Sequence, residues 1–206
     1  QQRLLQPSQS GRQRVILATN IAQTSLTIPN ITSVIDMGFH KMAHFDIKSG
    51  LTRLVTERIS AADATQRAGR AGRLQKGRCI RLWAPSQSLA LFTPVEIERI
   101  EATDLMLELS AWGYPVLSEA PWLEVDWLDA PPAHHLAHAR QALQGIGAIG
   151  RNGQLTAHGQ DILNFGLDWR SAHMVLHCLD ISSEMAVTAA ILAALLGERD
   201  VLRQAD

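Results

Sequence analysis

An α/β fold with a parallel sheet is predicted for about the first 84 residues, followed by a mostly helical region. Two apolar runs rich in Val and Ile, at residues 14–19 and 30–36, are joined by a polar link, as is typical of buried parallel strands. Charge divides the chain at nearly the same place. Residues 1–83 contain 13 Lys and Arg against four Asp and Glu, whereas the remainder contains six against sixteen. The two parts are therefore built differently.

Three further elements are predicted in the basic part. The stretch 45–59 alternates on both sides of Lys48, Ser49 and Gly50, which indicates a β-hairpin with its turn there. Ser60, with an acidic residue three positions later, predicts the N-cap of a helix that runs toward Arg70. Residues 77–83 return to a strand pattern. A basic segment of this kind suits phosphates, whether of a nucleotide or of a nucleic acid backbone.

The acidic part predicts helices at 101–112 and 133–143, then a tight turn at 150–155 and a helix capped by Thr156. Helix, helix and hairpin is the order of a winged-helix domain, which we place at 85–160. Helices at 168–178 and 182–196 predict a helical bundle over 161–206. A freestanding DNA-binding winged helix is disfavoured, because acidic residues outnumber basic ones in this part.

Composition excludes several classes of protein. With 46% hydrophobic residues the chain can bury a core, and its longest apolar stretches are shorter than a membrane span. Without an apolar signal core at Gln1, we expect a soluble, cytoplasmic protein with no membrane partner. Cys79 and Cys178 match no metal spacing, so two reduced, buried thiols are expected.

Other residues invite functional interpretations that the sequence does not support. His134, His135 and His138 lack a further ligand nearby, so we expect a solvated helix face and no metal site. The tryptophans are expected to anchor domain cores rather than to stack on bases, and they include Trp112, Trp122 and Trp127.

The strongest pattern is QRAGRAGR at residues 66–73. Arginines three residues apart place their guanidinium groups on one side of a helix or of its continuing turn, and such groups bind phosphate in pairs of hydrogen bonds. Gly69 and Gly72 allow a ligand to approach the backbone closely. An arginine-rich solvated helix face is the alternative, and it is disfavoured because the six fixed positions of QRxGRxGR would arise by chance in a chain of this length with a probability on the order of 10⁻⁵.

This pattern resembles motif VI of superfamily 2 helicases. The stretch ATNIAQTSLTIPNITSVIDMG at residues 18–38 is similar to motif V of the DEAH-box RNA helicases. Gln23, Pro29 and the stretch 127–149 are most similar to the bacterial HrpB-type branch. The resemblance implies the later part of a second RecA-like domain, of the P-loop NTPase type, at 1–84. The winged-helix region and the start of a helical ratchet-like domain would follow it.

Motif VI implies roles for three residues. Gln66 would help to position the attacking water, and Arg70 and Arg73 would contact the γ-phosphate of ATP across a cleft between two RecA-like domains. A guanidinium that arrives only when the cleft closes would couple hydrolysis to domain movement. Arg67 is expected to brace the helix, through a salt bridge.

Motif V implies contacts to both ligands. Thr19 and Asn20 match positions that contact the RNA backbone, and Ser25 and Thr27 match positions that face the nucleotide. Eukaryotic DEAH proteins commonly carry an acidic residue at the position of Pro29, and Gln23 replaces a usual Glu. Ordinary turn and cap roles are the alternative for these residues.

The hairpin matches the place of a strand-separating hairpin in DEAH motors. Lys48 and Arg53 are candidate RNA contacts there, along with Lys41 and His44. A solvated hairpin edge protected by charge is an equally good interpretation of the same residues.

The chain contains neither a GxxxxGK[ST] phosphate loop nor an acidic DEAH-type metal site. The resemblance therefore implies that ATP and Mg²⁺ are bound mainly by a missing N-terminal RecA-like domain, and that the chain alone hydrolyses no ATP. RNA is the expected nucleic acid, with single-stranded DNA left open. The alternative function is a non-catalytic nucleic-acid or protein-binding module derived from a helicase.

Overall fold

The computed structural model describes residues 14–24, 28–73, 76–114 and 126–197, and the chain divides after Arg99 into two compact units. The predicted domain boundaries after residues 84 and 160 stay predictions. Backbone hydrogen bonds tie part of the segment after 84 to the first unit, since Ala61 N–H donates to the Ala90 carbonyl and Phe45 N–H to the Arg99 carbonyl. A short 3₁₀ turn, Glu96–Glu98, precedes the division.

A parallel strand pair lies in the first unit. Strand β1, Ser33–Asp36, pairs in parallel with β4, Arg78–Arg81, with Ser33 opposite Arg78. A parallel sheet is thereby confirmed, formed by the segments predicted at 30–36 and 77–83, although both strands are shorter than those segments.

The prediction of a strand at 14–19 is wrong, because these residues have no regular secondary structure. A strand exists only where a neighbour completes its ladder of hydrogen bonds. Within the described residues no segment pairs with 14–19, and Val15 and Leu17 are 87% and 94% exposed. The apolar run was identified correctly, but a pattern alone supplies no partner.

The predicted hairpin is present and is formed by β2, Phe39–Asp46, and β3, Leu51–Arg58. The Asp46 carboxylate closes the turn, accepting from the Ser49 hydroxyl at 2.7 Å and from the Lys48 N–H at 3.1 Å. Gly50 has a φ of +65°, a conformation that favours glycine. The turn therefore lies at the predicted residues.

Helix α2, Ala61–Ala68, contains the first three residues of the QRAGRAGR pattern and begins as predicted. The Ser60 hydroxyl accepts from the Asp63 N–H at 3.1 Å, and the Asp63 carboxylate accepts from the Ser60 N–H at 3.3 Å. This reciprocal capping box fixes the start of the helix. The helix ends at Ala68, and residues 69–73 continue as turns.

Within the described residues the second unit is helical. Its helices are α3 (Thr103–Ala111), α4 (Ala133–Gly145), α5 (Ala157–Phe165), α6 (Trp169–Ile181) and α7 (Ser183–Gly197). A single antiparallel bridge, Ile149 to Leu155, replaces the predicted pair of short strands around the turn. The α/β part followed by a mostly helical part agrees with the predicted fold class.

The core of the second unit is formed by apolar side chains. Its least exposed large side chains are Met106, Leu107, Leu143, Ile149 and Ile162.

Beside this core, the Arg170 guanidinium makes two hydrogen bonds to the Glu101 carboxylate, at 2.7 and 2.9 Å, and stacks over the Trp169 ring. Thr156 caps α5 as predicted, since its hydroxyl accepts from the Gly159 N–H at 3.1 Å.

Several side-chain expectations are corrected. Trp112 is 72% exposed, because it lies at the end of α3 just before a glycine turn, whereas Trp127 packs against the core as expected. Trp122 lies outside the described residues. His134 is exposed as expected, but His135 is only 5% exposed, because it lies on the core-facing side of α4. The free thiols of the two cysteines are half-buried rather than buried.

Candidate nucleotide and nucleic-acid site

Arg67 is held in place by three acceptors. One terminal nitrogen, Nη1, lies 3.0 Å from Oδ1 of Asp36 and 3.1 Å from the Phe39 carbonyl. Its Nε donates to the Gln23 side-chain oxygen at 3.0 Å. Because the Asp36 carboxylate is almost fully buried at the end of β1, the ion pair fixes α2 against the sheet. The salt bridge expected of Arg67 is present.

A short helix, α1, brings motif V to α2. It spans Ile21–Thr24, and its side chain at Gln23 lies between Arg67 and Asp63 of α2. The backbone carbonyl of Gln23 also accepts a hydrogen bond from the Arg70 guanidinium. One residue of motif V therefore contacts three residues of the α2 segment.

Asp63 collects the hydrogen bonds at the start of α2. Burial alone would raise the pKa of its carboxyl group. Hydrogen bonds from the hydroxyl of Thr93, from Ser60 and from the Gln23 amide outweigh burial, so the pKa of Asp63 lies below its ordinary value. Asp63 therefore remains ionised near neutral pH and is available as an acceptor for all of these donors.

Arg70 and Arg73 lie close enough to affect each other. Burial lowers the pKa of Arg70, and the positive charge of Arg73 lowers it further. Arg70 is half-buried, whereas Gln66 and Arg73 are exposed. Two neighbouring cations repel each other, and an anion placed between them relieves that repulsion. The structure thus brings the three predicted motif VI residues together on one short segment.

The predicted RNA contacts fall in two places. Thr19 and Asn20 are exposed and directly precede α1, where their carbonyls accept from the backbone N–H groups of Ala22 and Gln23. Lys48 and Arg53 are exposed at the other end of the hairpin from the Phe39 carbonyl that contacts Arg67. Strand rise separates Lys48 from that carbonyl by roughly 20 Å.

Two predicted nucleotide contacts, Ser25 and Thr27, lie outside the described residues. Pro29 and Asn30 form a turn after them, and Asn30 has a φ of +62°. Pro followed by a residue with positive φ is the pattern of a tight turn, in which Asn is tolerated. Pro29 therefore shapes the backbone at the position where an acidic residue is usual.

Over residues 14–24, 28–73, 76–114 and 126–197, no three His, Cys, Asp or Glu side chains are grouped so that they would bind a metal ion. Nor does any helix in those ranges have the length and apolar character that a membrane crossing requires.

Three comparisons with known proteins agree with this geometry. Residues 1–75 match the family described as the helicase conserved C-terminal domain. The ATP-dependent RNA helicase HrpB of Escherichia coli is 40% identical over 200 residues, which are 96% of this chain and 24% of that protein. The pre-mRNA-splicing factor ATP-dependent RNA helicase prp22 of Schizosaccharomyces pombe is 36% identical over 94% of this chain and 16% of that protein.

Two solved structures are similar to this chain in both sequence and fold. A crystal structure of the E. coli DEAH/RHA helicase HrpB matches 97% of this chain, and 25% of its own, with a TM-score of 0.84 and 40% identity. A second, of the E. coli DExH-box NTPase HrpB, gives a TM-score of 0.83 at 39% identity, covering 97% of this chain and 24% of that one. Over nearly its whole length this chain resembles part of a DEAH-box helicase. It spans about a quarter of the length of the HrpB relative that it matches.

These matches describe residues 1–75 as helicase C-terminal domain, and the small parallel sheet of the first unit agrees with its RecA-like fold. The sequence patterns did not reveal the partners of motif VI. Asp36 and Asp63 were not singled out as site residues, although they are two of only four acidic residues among residues 1–83. The small number of acidic residues in this basic segment was the signal that could have identified them. A buried carboxylate in such a segment is expected to have a cationic or N–H partner.

Proposed function

We propose that this chain is part of an ATP-dependent RNA helicase that couples ATP hydrolysis to translocation along, or unwinding of, nucleic acid. It supplies the arginine side of the ATP site and part of the RNA track. One observation carries the proposal: beyond the structural arginine Arg67, the same segment holds two more arginines, Arg70 and the exposed Arg73, close enough for their charges to interact.

The proposed chemistry at the nucleotide follows from charge. Phosphoryl transfer builds negative charge on the γ-phosphate oxygens, and a guanidinium aimed at them stabilises that charge. Arg70 and Arg73 take this role, and the Gln66 amide orients the attacking water. Bound Mg²⁺ neutralises charge on the phosphate oxygens. The described residues do not fit that ion, so we assign its ligands to an N-terminal RecA-like domain of the same protein.

The proposed RNA track uses contacts that read no sequence. Thr19 and Asn20 offer hydroxyl and amide groups to backbone phosphates, and Lys48 and Arg53 offer positive charge near the hairpin turn. Because α1 begins next to Thr19 and Asn20 and contacts α2, a shift of RNA at these residues reaches the motif VI arginines directly. Single-stranded DNA offers the same phosphates, so RNA and DNA are compared in the test below.

The experiment measures RNA-stimulated ATP hydrolysis by the full-length protein with Arg70→Ala. We expect kcat to fall by about a thousandfold, the usual effect of removing an arginine that stabilises the transition state, while RNA affinity stays within about threefold. Arg78→Ala is the matched control. Arg78 is an exposed arginine of the same unit whose side chain contacts Ser33, and its loss should leave kcat unchanged.

Two outcomes contradict the proposal. Turnover by Arg70→Ala equal to that of the wild type removes Arg70 from the ATP site. RNA-stimulated hydrolysis by the 206-residue chain alone would show that the nucleotide is bound and activated within it. A comparison of RNA with single-stranded DNA as stimulant identifies the preferred nucleic acid.

A further inference from the structure

The Gln23 amide lies between a cation and an anion of α2. Its oxygen, Oε1, accepts from Arg67 Nε at 3.0 Å, and its nitrogen, Nε2, donates to Oδ1 of Asp63 at 2.5 Å. A guanidinium can only donate and a carboxylate can only accept, so the amide fits in one orientation alone. The position therefore requires one donor and one acceptor on the same side chain.

Asp63 has no freedom to move toward a different partner. Its second oxygen, Oδ2, already accepts from the Ser60 N–H and from the hydroxyl of Thr93. The bond from the Ser60 N–H is part of the α2 capping box. Displacement of the Asp63 carboxylate would therefore break the hydrogen bonds that hold the first turn of the helix. Any adjustment to a substitution at Gln23 must therefore occur in α1.

The backbone of Gln23 links the amide to Arg70. Its carbonyl accepts from the Arg70 guanidinium, so a shift of α1 moves the acceptor that holds this arginine. The side chain fixes the distance between α1 and α2, and the carbonyl transmits that distance to Arg70.

We propose that Gln23 is a positioning residue that aligns Arg70 for ATP hydrolysis, and that only an amide at this position can do so. The inference rests on the proposed function, since alignment of Arg70 matters only if Arg70 meets the nucleotide. It also gives a physical reason for glutamine where the family resemblance leads one to expect glutamate.

A glutamate at position 23 cannot satisfy both neighbours. Its carboxylate accepts from Arg67 but has no proton to donate to Asp63, so two negatively charged oxygens face each other at hydrogen-bond distance. An asparagine at position 63 creates the opposite conflict. Its single oxygen serves either Gln23 or the Ser60 and Thr93 donors, and its NH₂ group then faces another donor.

The two changes compensate each other. With Gln23→Glu and Asp63→Asn together, the introduced carboxylate accepts from Arg67 and from the NH₂ group introduced at position 63. The oxygen of that introduced amide still accepts from Ser60 and Thr93. Every hydrogen bond keeps a donor and an acceptor, and the total charge is unchanged.

The test compares Q23E, D63N and the double variant Q23E/D63N in the full-length protein, by RNA-stimulated ATP hydrolysis. Each single variant should lower kcat about tenfold to a hundredfold, as expected when a catalytic group is misplaced by about 1 Å, with the KM for ATP changed less than about threefold. The double variant should regain kcat to within about threefold of the wild type. Q160E, at an exposed glutamine of α5, is the matched control and should be silent.

Each remaining outcome counts against the inference. Wild-type kcat in Q23E overturns it, as does a double variant no faster than the slower single variant. If a single variant unfolds, the double variant still decides, because it retains the full set of hydrogen bonds. Single variants that lower the melting temperature but keep kcat would show a purely structural role. A wild-type protein without RNA-stimulated hydrolysis refutes the proposed function itself, and the positioning role with it.

Discussion

The Asp36 carboxylate and the Arg67 guanidinium form an ion pair of 3.0 Å that joins the end of β1 to α2. Asp36 is 3% exposed, and its Oδ1 also accepts from the Gly38 N–H at 2.9 Å. The first arginine of the QRAGRAGR pattern is therefore a structural residue. Arg70 and Arg73, which follow it, are positioned by this anchor.

Asp36→Asn should destabilise the first unit strongly. The substitution leaves the half-buried Arg67 charge without its counter-ion, and breaking a buried pair in this way typically costs about 3 kcal/mol or more. Urea unfolding of the 206-residue chain measures the change in the free energy of unfolding. Asp161→Asn, at an exposed position of α5, is the control and should change it by less than about 0.5 kcal/mol. Equal effects of the two substitutions would contradict the role given to the ion pair.

Gly38→Ala should destabilise the chain by about 2 kcal/mol. Gly38 has a φ of +78°, and a Cβ atom there would lie 2.8 Å from Cε3 of the Trp83 ring. Both the backbone conformation and the indole ring therefore exclude a side chain. The measurement is the shift in melting temperature by circular dichroism, and a variant as stable as the wild type would refute the argument.

Gly72→Ala should slow ATP hydrolysis with little change in stability. Nothing lies within 4 Å of a Cβ atom at Gly72, so the free energy of unfolding should change by less than about 1 kcal/mol. In the full-length protein we expect at least about tenfold slower ATP hydrolysis, because the methyl group would occupy space that the phosphates approach. Hydrolysis at the wild-type rate would place Gly72 away from the nucleotide.

Protonation of Asp63 at low pH should reduce the stability of the folded chain. Its folded pKa lies below the ordinary value of 3.8, so its ionised form contributes stability that is fully present above that value. The contribution is lost as pH falls through the lower, folded pKa. Urea unfolding between about pH 6 and pH 2 should show the wild type losing stability relative to Asp63→Asn as pH falls. Parallel curves for the two proteins would contradict the hydrogen bonding assigned to Asp63.

Protonation of His135 should also destabilise the second unit as pH falls, and this loss should begin at a higher pH than the loss due to Asp63. Burial, and then the neighbouring His134, lowers the pKa of His135 below 6.5. The unfolded chain therefore binds a proton before the folded one does, and stability falls as pH drops from about 6.5 toward the folded pKa. Unfolding between about pH 7.5 and pH 5 should be less pH-dependent in His135→Phe. His134→Gln, at the exposed neighbouring position, should keep most of the wild-type slope.

Local patterns in the sequence determined much of this protein. The hairpin turn, the capping box at Ser60 and Asp63, and the cap of α5 at Thr156 depend on groups within a few residues of each other, so their chemistry is visible in the chain itself. The QRAGRAGR segment belongs with them, because its arginines are only three residues apart and lie in the end of α2 and the turns that follow it.

The sequence resemblance predicted a structural role for Arg67, but only the tertiary structure decided which residues surround it. Asp36 lies 31 residues from Arg67, and Gln23 lies 40 residues from Asp63. Contacts over such separations depend on how strand, hairpin and helix pack, which no periodicity encodes. The same reason explains the error at 14–19, since an apolar run becomes a strand only beside a partner. Residue type and spacing thus determined the candidate groups, and packing determined their donors and acceptors.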